Sequence, residues 1–133
     1  MVTTHYRVIY GDTDQMGVVY YGNYLRYFEA GRNEFLREKG ARYRDVEREL
    51  RIHLPVVEAT VRYKHPARYD DLIRIETWIE EVRRASLRFG YRIVRAEDER
   101  LLVEGETVHA CVDFEQKPVK LPERLVELLQ HES

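Results

Sequence analysis

The sequence predicts an α+β fold in which an antiparallel sheet of about five strands curls around one long helix. Three observations carry this. Residues 24–39 follow a helical period, four later stretches alternate apolar and polar residues with period two, and the connections between those stretches are short. Consecutive strands with short connections pair antiparallel, and a lone amphipathic helix ahead of them buries its stripe most economically across one sheet face. At 133 residues the chain reads as one domain, 1–133, able to bury roughly two thirds of the surface its unfolded form exposes.

Residues 5–10, rich in Tyr, Val and Ile, read as a first short strand. Gly11 to Gly17 holds too many turn formers for a regular element. Asn23 suits an N-cap, and Tyr24 to Lys39 follows as a helix with Leu25, Phe28, Phe35 and Leu36 along one stripe. Small Ala30 and Gly31 midway would let that helix lie close to a sheet, and Gly40 suits the C′ position. A short charged helix is expected from Arg42 to Leu50. Val57, Ala59, Val61 and Tyr63 then alternate with polar neighbours until His65-Pro66 stops the strand, since proline removes a ladder donor. Tyr69-Asp70-Asp71 reads as a turn. Ile73, Ile75, Thr77 and Ile79 mark the next strand, and Leu87, Phe89, Tyr91 and Ile93 the one after. Glu97 to Arg100 is a hairpin loop, and Leu102 to Phe114 a last long strand. Pro122 opens a closing helix with Leu125, Val126, Leu128 and Leu129 as its apolar residues. The other sheet face, with Trp78 and Val94 among charges, suits contact with a second copy.

Composition narrows the function. The net charge is −2 despite 22 basic residues, 18 of them Arg, so the basic excess of a general nucleic-acid binder is missing. No apolar run approaches the roughly 20 residues that span a bilayer. The first residues lack the basic-then-apolar order of a signal peptide, so a cytoplasmic protein without nucleic-acid or membrane partners is expected. The single Cys111 forbids an intrachain disulfide and reads as a buried, inert thiol. The five histidines lack zinc spacing, and no metal or organic cofactor is expected. No Gly-x-Ser-x-Gly elbow, P-loop or Gly-x-Gly-x-x-Gly is present.

Two constellations bear chemistry. Asp12 to Asn23 places carboxylates just ahead of a helix start, with Gly17 and Gly22 allowing close backbone approach. Free N–H groups at a helix start stabilise a developing oxyanion, and a nearby carboxylate can attack a carbonyl or activate water. The same Asp-x-Asp also suits ordinary turn chemistry. Arg83-Arg84-Ala85-Ser86, between two strands, could clamp a phosphate, or could be a solvated pair that deters edge pairing.

The run Tyr10-Gly11-Asp12-Thr13-Asp14-Gln15-Met16-Gly17-Val18-Val19-Tyr20-Tyr21-Gly22-Asn23-Tyr24 resembles the signature of the 4-hydroxybenzoyl-CoA thioesterase family. The likeness continues through Tyr69-Asp70-Asp71, Ile75-Glu76-Thr77 and Arg83-Arg84-Ala85-Ser86, spanning roughly residues 5 to 115. The resemblance implies a hotdog fold and hydrolysis of an acyl-CoA thioester to a free acid and CoA, coenzyme A entering only as part of the substrate. It implies Asp14 as nucleophile or general base. It further implies Tyr21, with Gly22 beside it, as the oxyanion and substrate position at the helix start, and Arg83, Arg84 and Ser86 as contacts for the CoA nucleotide and its phosphates. It also implies a homodimer or homotetramer with sites between subunits. A large branch of the family, encoded in Tol-Pal clusters, carries His where this chain has Tyr21; the pair Tyr20-Tyr21 is closer to the hydroxybenzoyl branch. Two other readings share the fold: an acyl-CoA hydratase or dehydratase, and a non-catalytic acyl-CoA binding module.

Overall fold

A computed structural model describes residues 1–130. Five strands form one antiparallel sheet: β1 (Val2–Arg7), β2 (Val56–Tyr63), β3 (Leu72–Val82), β4 (Ser86–Arg95) and β5 (Arg100–Ala110), in spatial order β1-β3-β4-β5-β2. Three helices accompany it: α1 (Asn23–Glu38), α2 (Tyr43–Leu50) and α3 (Glu123–Gln130). The expected α+β architecture is present, with α1 lying across one sheet face.

The core forms where α1 meets the inward residues of β3, β4 and β5. Phe28 stacks on Tyr91 with ring centroids 4.2 Å apart, and Phe35 meets Phe89 edge to face at 5.6 Å. Ile73, Ile75, Leu87, Ile93 and Leu102 are fully buried beneath them. Of the two small residues expected to let α1 lie close to the sheet, Gly31 does so, while Ala30 faces solvent. A Cβ at Gly31 would collide with Thr77 Oγ1 and stand 2.8 Å from Ile75 Cγ2. Gly40 takes φ +87° just past the helix end, as a C′ glycine should.

Several expectations change. The first strand is Val2–Arg7, not 5–10, because its partners are Leu72 to Thr77; beyond Val8 the chain tightens into a 3₁₀ turn at Tyr10–Asp12. Asn23 is the first helical residue and does not cap. Gly22 takes the cap position without a side-chain bond, while the Asn23 amide donates to the Asp12 carbonyl at 2.9 Å. Leu25 faces solvent; the buried stripe runs through Tyr24, Tyr27, Phe28, Gly31, Phe35 and Leu36. The alternation in β2 buries neither face, since β2 is an edge strand with Val56, Val57 and Tyr63 all exposed. β5 stops at Ala110. Val112 bridges singly to His53 and Pro118 instead of extending the ladder, and Phe114 is exposed beside His53. No described helix is long and apolar enough to cross a membrane.

Candidate active site

The loop between β1 and α1 separates the two carboxylates of Asp-x-Asp into different roles. Asp12 is only 2% exposed. Its Oδ2 accepts from Tyr6 Oη at 2.6 Å and from the Ile9 N–H at 3.1 Å. Burial first, and then the bond to Asp12, push the Tyr6 phenol up to about 12, so it remains a donor. The Asp12 carbonyl also accepts the Tyr20 N–H and the Asn23 amide, tying the loop to the first turn of α1. Asp12 is therefore a structural clasp.

Asp14 is different. It is half-buried, and its side chain accepts only the Met16 N–H, at Oδ1, 2.8 Å; Oδ2 has no partner among the described residues. The backbone around it is a tight hairpin. Asp14 N–H donates to Val18 O, Thr13 bridges Val19, and Gly17 closes the turn at φ +78°, which only glycine adopts freely. The hairpin docks on the segment after β2 through Val19 N–H to Ala67 O and a bridge from Val18 to Arg68.

At the start of α1 the Tyr20 N–H donates to Asp12 O and the Asn23 N–H to Tyr20 O. Between them, the N–H groups of Tyr21 and Gly22 find no acceptor among the described residues. They stand where the helix already concentrates partial positive charge. Gly22 has an ordinary helical φ of −66°; its lack of a side chain matters because a Cβ would press within 3.0 Å of the Tyr20 ring. Tyr63 Oη donates to Tyr21 O at 3.1 Å, pinning this corner to the far end of β2.

Arg83, Arg84 and Ser86 are not at this corner. They form the β3–β4 turn, closed by Arg83 N–H to Ser86 O and anchored by Cys111 N–H to Ala85 O and Leu121 N–H to Arg84 O. Both arginines are exposed; Arg83 pairs with Glu81, and Arg84 has no side-chain partner among the described residues. Tyr63 lies level with Val103 and Ile93, seven residues along β4 from Ser86. At about 3.3 Å per residue this is roughly 23 Å. One chain thus carries Asp14, Tyr21 and Gly22 in the loop ahead of α1 and the arginine turn at the opposite end of the sheet.

The structure adds a feature the sequence did not signal. A groove of about 700 Å³ opens between α1, α2 and the paired ends of β2, β4 and β5, lined by Arg32, Leu36, Leu54, Val56, Phe89 and His109 among others. A chain of hydrogen bonds lies beneath it. His109 Nδ1 is 2.9 Å from Leu54 O, His109 Nε2 is 2.8 Å from Thr107 Oγ1, Thr107 Oγ1 is 2.6 Å from Tyr91 Oη, and Arg32 Nη1 is 3.3 Å from Tyr91 Oη. Burial lowers the His109 imidazole to about 4, so it is neutral at pH 7. Its Nδ1–H must donate to the carbonyl, leaving Nε2 to accept. Thr107 then donates to His109, Tyr91 to Thr107, and Arg32 to Tyr91. Each link is distant in sequence from the next or hidden in strand alternation, so only the register of β4 on β5 exposes the chain. Among the described residues no cluster of three or more His, Cys, Asp or Glu could hold a metal.

Residues 8–129 match the Thioesterase-like superfamily. The chain is 42% identical over 121 residues to the acyl-CoA thioester hydrolase YbgC of Escherichia coli, covering 90% of this chain and 89% of that one. It is 30% identical over 136 residues to the 4-hydroxybenzoyl-CoA thioesterase of Pseudomonas sp. strain CBS-3, covering 96% of each. Among solved structures, that of AQ1494 from Aquifex aeolicus superposes with a TM-score of 0.91 at 32% identity, covering 98% of this chain and all of the other. With the sheet order, the long helix across one face and the loop ahead of it, these matches place the chain in the hotdog-fold thioesterase superfamily.

Proposed function

We propose that the chain hydrolyses acyl-CoA thioesters, with the β1–α1 corner as its reaction centre. The observation that carries this is the pair of unpartnered N–H groups at Tyr21 and Gly22, in the same loop as a carboxylate with a free oxygen. A thioester carbonyl accepting from those N–H groups is polarised most strongly as its oxygen becomes an oxyanion. Asp14 attacks the carbonyl carbon directly, or removes a proton from an attacking water. The C–S bond then breaks and the thiolate leaves as CoA, taking up a proton. On the direct route the acyl group stays on Asp14 as a mixed anhydride that water hydrolyses to the free acid and the restored carboxylate, whereas on the water route the acid forms in the same step. Asp12, committed to Tyr6 and Ile9, holds the loop and takes no part in the chemistry.

The arginine turn is assigned to the CoA phosphates, and its distance from Asp14 makes the site a shared one. β2 is an unpaired edge with exposed Val56, Val57 and Tyr63, suited to pairing with its own copy. Antiparallel pairing of two β2 strands sets the Tyr63 end of one copy against the Val56 end of the other. Tyr63 carries the Tyr21 corner, while Ala110, the partner of Ser86, bonds to Pro55 beside Val56. A homodimer, or a homotetramer built from it, therefore brings Asp14 of one copy toward the groove and arginine turn of the other. Exposed Tyr10, Met16, Tyr20 and Tyr21 around the corner suit such an interface.

The test is thiol release from a panel of aliphatic and aromatic acyl-CoAs by the wild-type chain and Asp14→Asn. Turnover by the wild type, reduced at least a hundredfold in the nearly isosteric variant, is expected for loss of a general base or nucleophile. Unchanged turnover would remove Asp14 from the mechanism. Hydrated thioester with no free CoA would favour a hydratase instead.

A further inference from the structure

We propose that the groove beside α1 and α2 receives the acyl group, and that Arg32 selects acyl groups ending in a carboxylate. This rests on the thioesterase reading and adds the substrate class.

The groove has the size of a small-molecule site, within the roughly 300–1,000 Å³ such sites occupy. Leu36, Leu54, Leu87 and Phe89 give it apolar walls suited to a hydrocarbon chain. Arg32 interrupts those walls. Its side chain is 15% exposed, yet its described partners are few: the Tyr91 hydroxyl, and Glu29 at 3.8 Å, which is itself 67% exposed. A guanidinium carries five N–H donors, and one so nearly buried is costly to leave underused.

The buried chain holds Arg32 in place. Because His109 is neutral with Nδ1–H given to Leu54, the chain has a single direction, and the Tyr91 oxygen is left to accept from Arg32. Arg32 is thereby braced from behind, with donors to spare for an acceptor in the groove. Its surroundings reinforce the sign. Glu29 is the one acidic residue among the described lining, against Arg32, Arg37, Arg42 and Arg44. Glu34 and Asp45 compensate Arg37 and Arg42, but Arg44 has no partner among the described residues. An apolar chain ending in a carboxylate matches apolar walls with a braced cation, and a guanidinium binds carboxylate through two parallel bonds. The groove also borders Pro55 and Val56, where antiparallel pairing of β2 delivers Asp14 of a second copy.

The experiment compares hexanoyl-CoA with adipoyl-CoA, equal in chain length and differing by a terminal carboxylate. For the wild-type chain kcat/KM should favour adipoyl-CoA by about tenfold or more, the scale of a recognised polar group. Arg32→Met should bring that ratio to one or below, and Arg32→Lys, which keeps the charge but loses the fork, should retain part of it. A wild-type ratio at or below one overturns the proposal whatever the variants do, including variants that fail to fold. So does a ratio that survives Arg32→Met. An equal loss on both esters would assign Arg32 to the CoA phosphates and overturn it too. Calorimetric binding of the non-hydrolysable CoA thioethers of the two chains reads the pocket without turnover. Tighter binding of the carboxylate-bearing thioether, with no thiol released from either ester, would refute the hydrolase reading and leave the pocket assignment standing.

Discussion

His109 should make folding stability fall with acid in a way that one substitution removes. Its imidazole titrates near 4 in the folded chain and near 6.5 when unfolded. The unfolded chain therefore binds more protons between those values, and stability is lost as pH falls from about 6.5 toward 4, then levels off. At pH 7 the difference is negligible, and at pH 4.5 it is on the order of 2–3 kcal/mol against folding. Between those pH values the wild-type chain should thus lose roughly 2 kcal/mol through this group alone. His109 is 3% exposed, so solvent does little to screen the effect. His109→Gln keeps hydrogen-bonding capacity but cannot titrate. Its absolute stability will differ, but only the change with pH matters, because every carboxylate titrates in both proteins. Urea melts at pH 7 and 4.5 for both should show the wild type losing about 2 kcal/mol more than the variant. Parallel losses would mean that His109 is not held neutral, and the direction assigned to the chain from Arg32 to Leu54 would fall with it.

Arg83→Ala combined with Arg84→Ala should raise KM for acyl-CoA by about tenfold with a smaller fall in kcat, and leave a short pantetheine thioester unaffected; an unchanged KM for CoA esters would remove the phosphate assignment. Mixing that double variant with Asp14→Asn under subunit exchange should restore part of the activity if the two groups act across an interface, and no recovery would argue for a site within one chain. Gly31→Ala should destabilise by about 1–2 kcal/mol in urea melts, since overpacking against Thr77 and Ile75 outweighs the roughly 1 kcal/mol gain in helix propensity; a stabilised variant would mean that α1 can move off the sheet.

Much of the fold was legible because burial leaves a periodic trace. The inward residues of β3 and β4, Ile73 and Ile75, Leu87 through Ile93, are spaced by two, and Phe28, Phe35 and Leu36 keep helical spacing. The trace fails where one face is not against the core. In β2 the alternating residues are exposed at a sheet edge, so their pattern overstates burial. At Leu25 a large apolar residue sits off the helix stripe, and Tyr24 and Tyr27, polar-tipped residues, take the buried places. Past Ala110 the residues still look like a strand, but Val112 has only isolated bridges to continue with.

By itself the sequence determined the class of fold, the turn-rich Asp12 to Asn23 loop ahead of the long helix, and the arginine turn at Arg83, Arg84 and Ser86. These depend on neighbours in the chain: turn formers, a helix start and a hairpin are local features that residue order displays directly. Only the tertiary structure decided which carboxylate of Asp-x-Asp is spent on the scaffold, because Tyr6 reaches Asp12 from another element. It also decided that the arginine turn lies a sheet's length from Asp14, and that Arg32, Tyr91, Thr107 and His109 form one directed chain under a groove. Those facts are set by strand register and by the angle of α1 on the sheet, which bring together residues up to 59 positions apart. Register is fixed by the summed packing of the whole core, and no local stretch of sequence carries that sum.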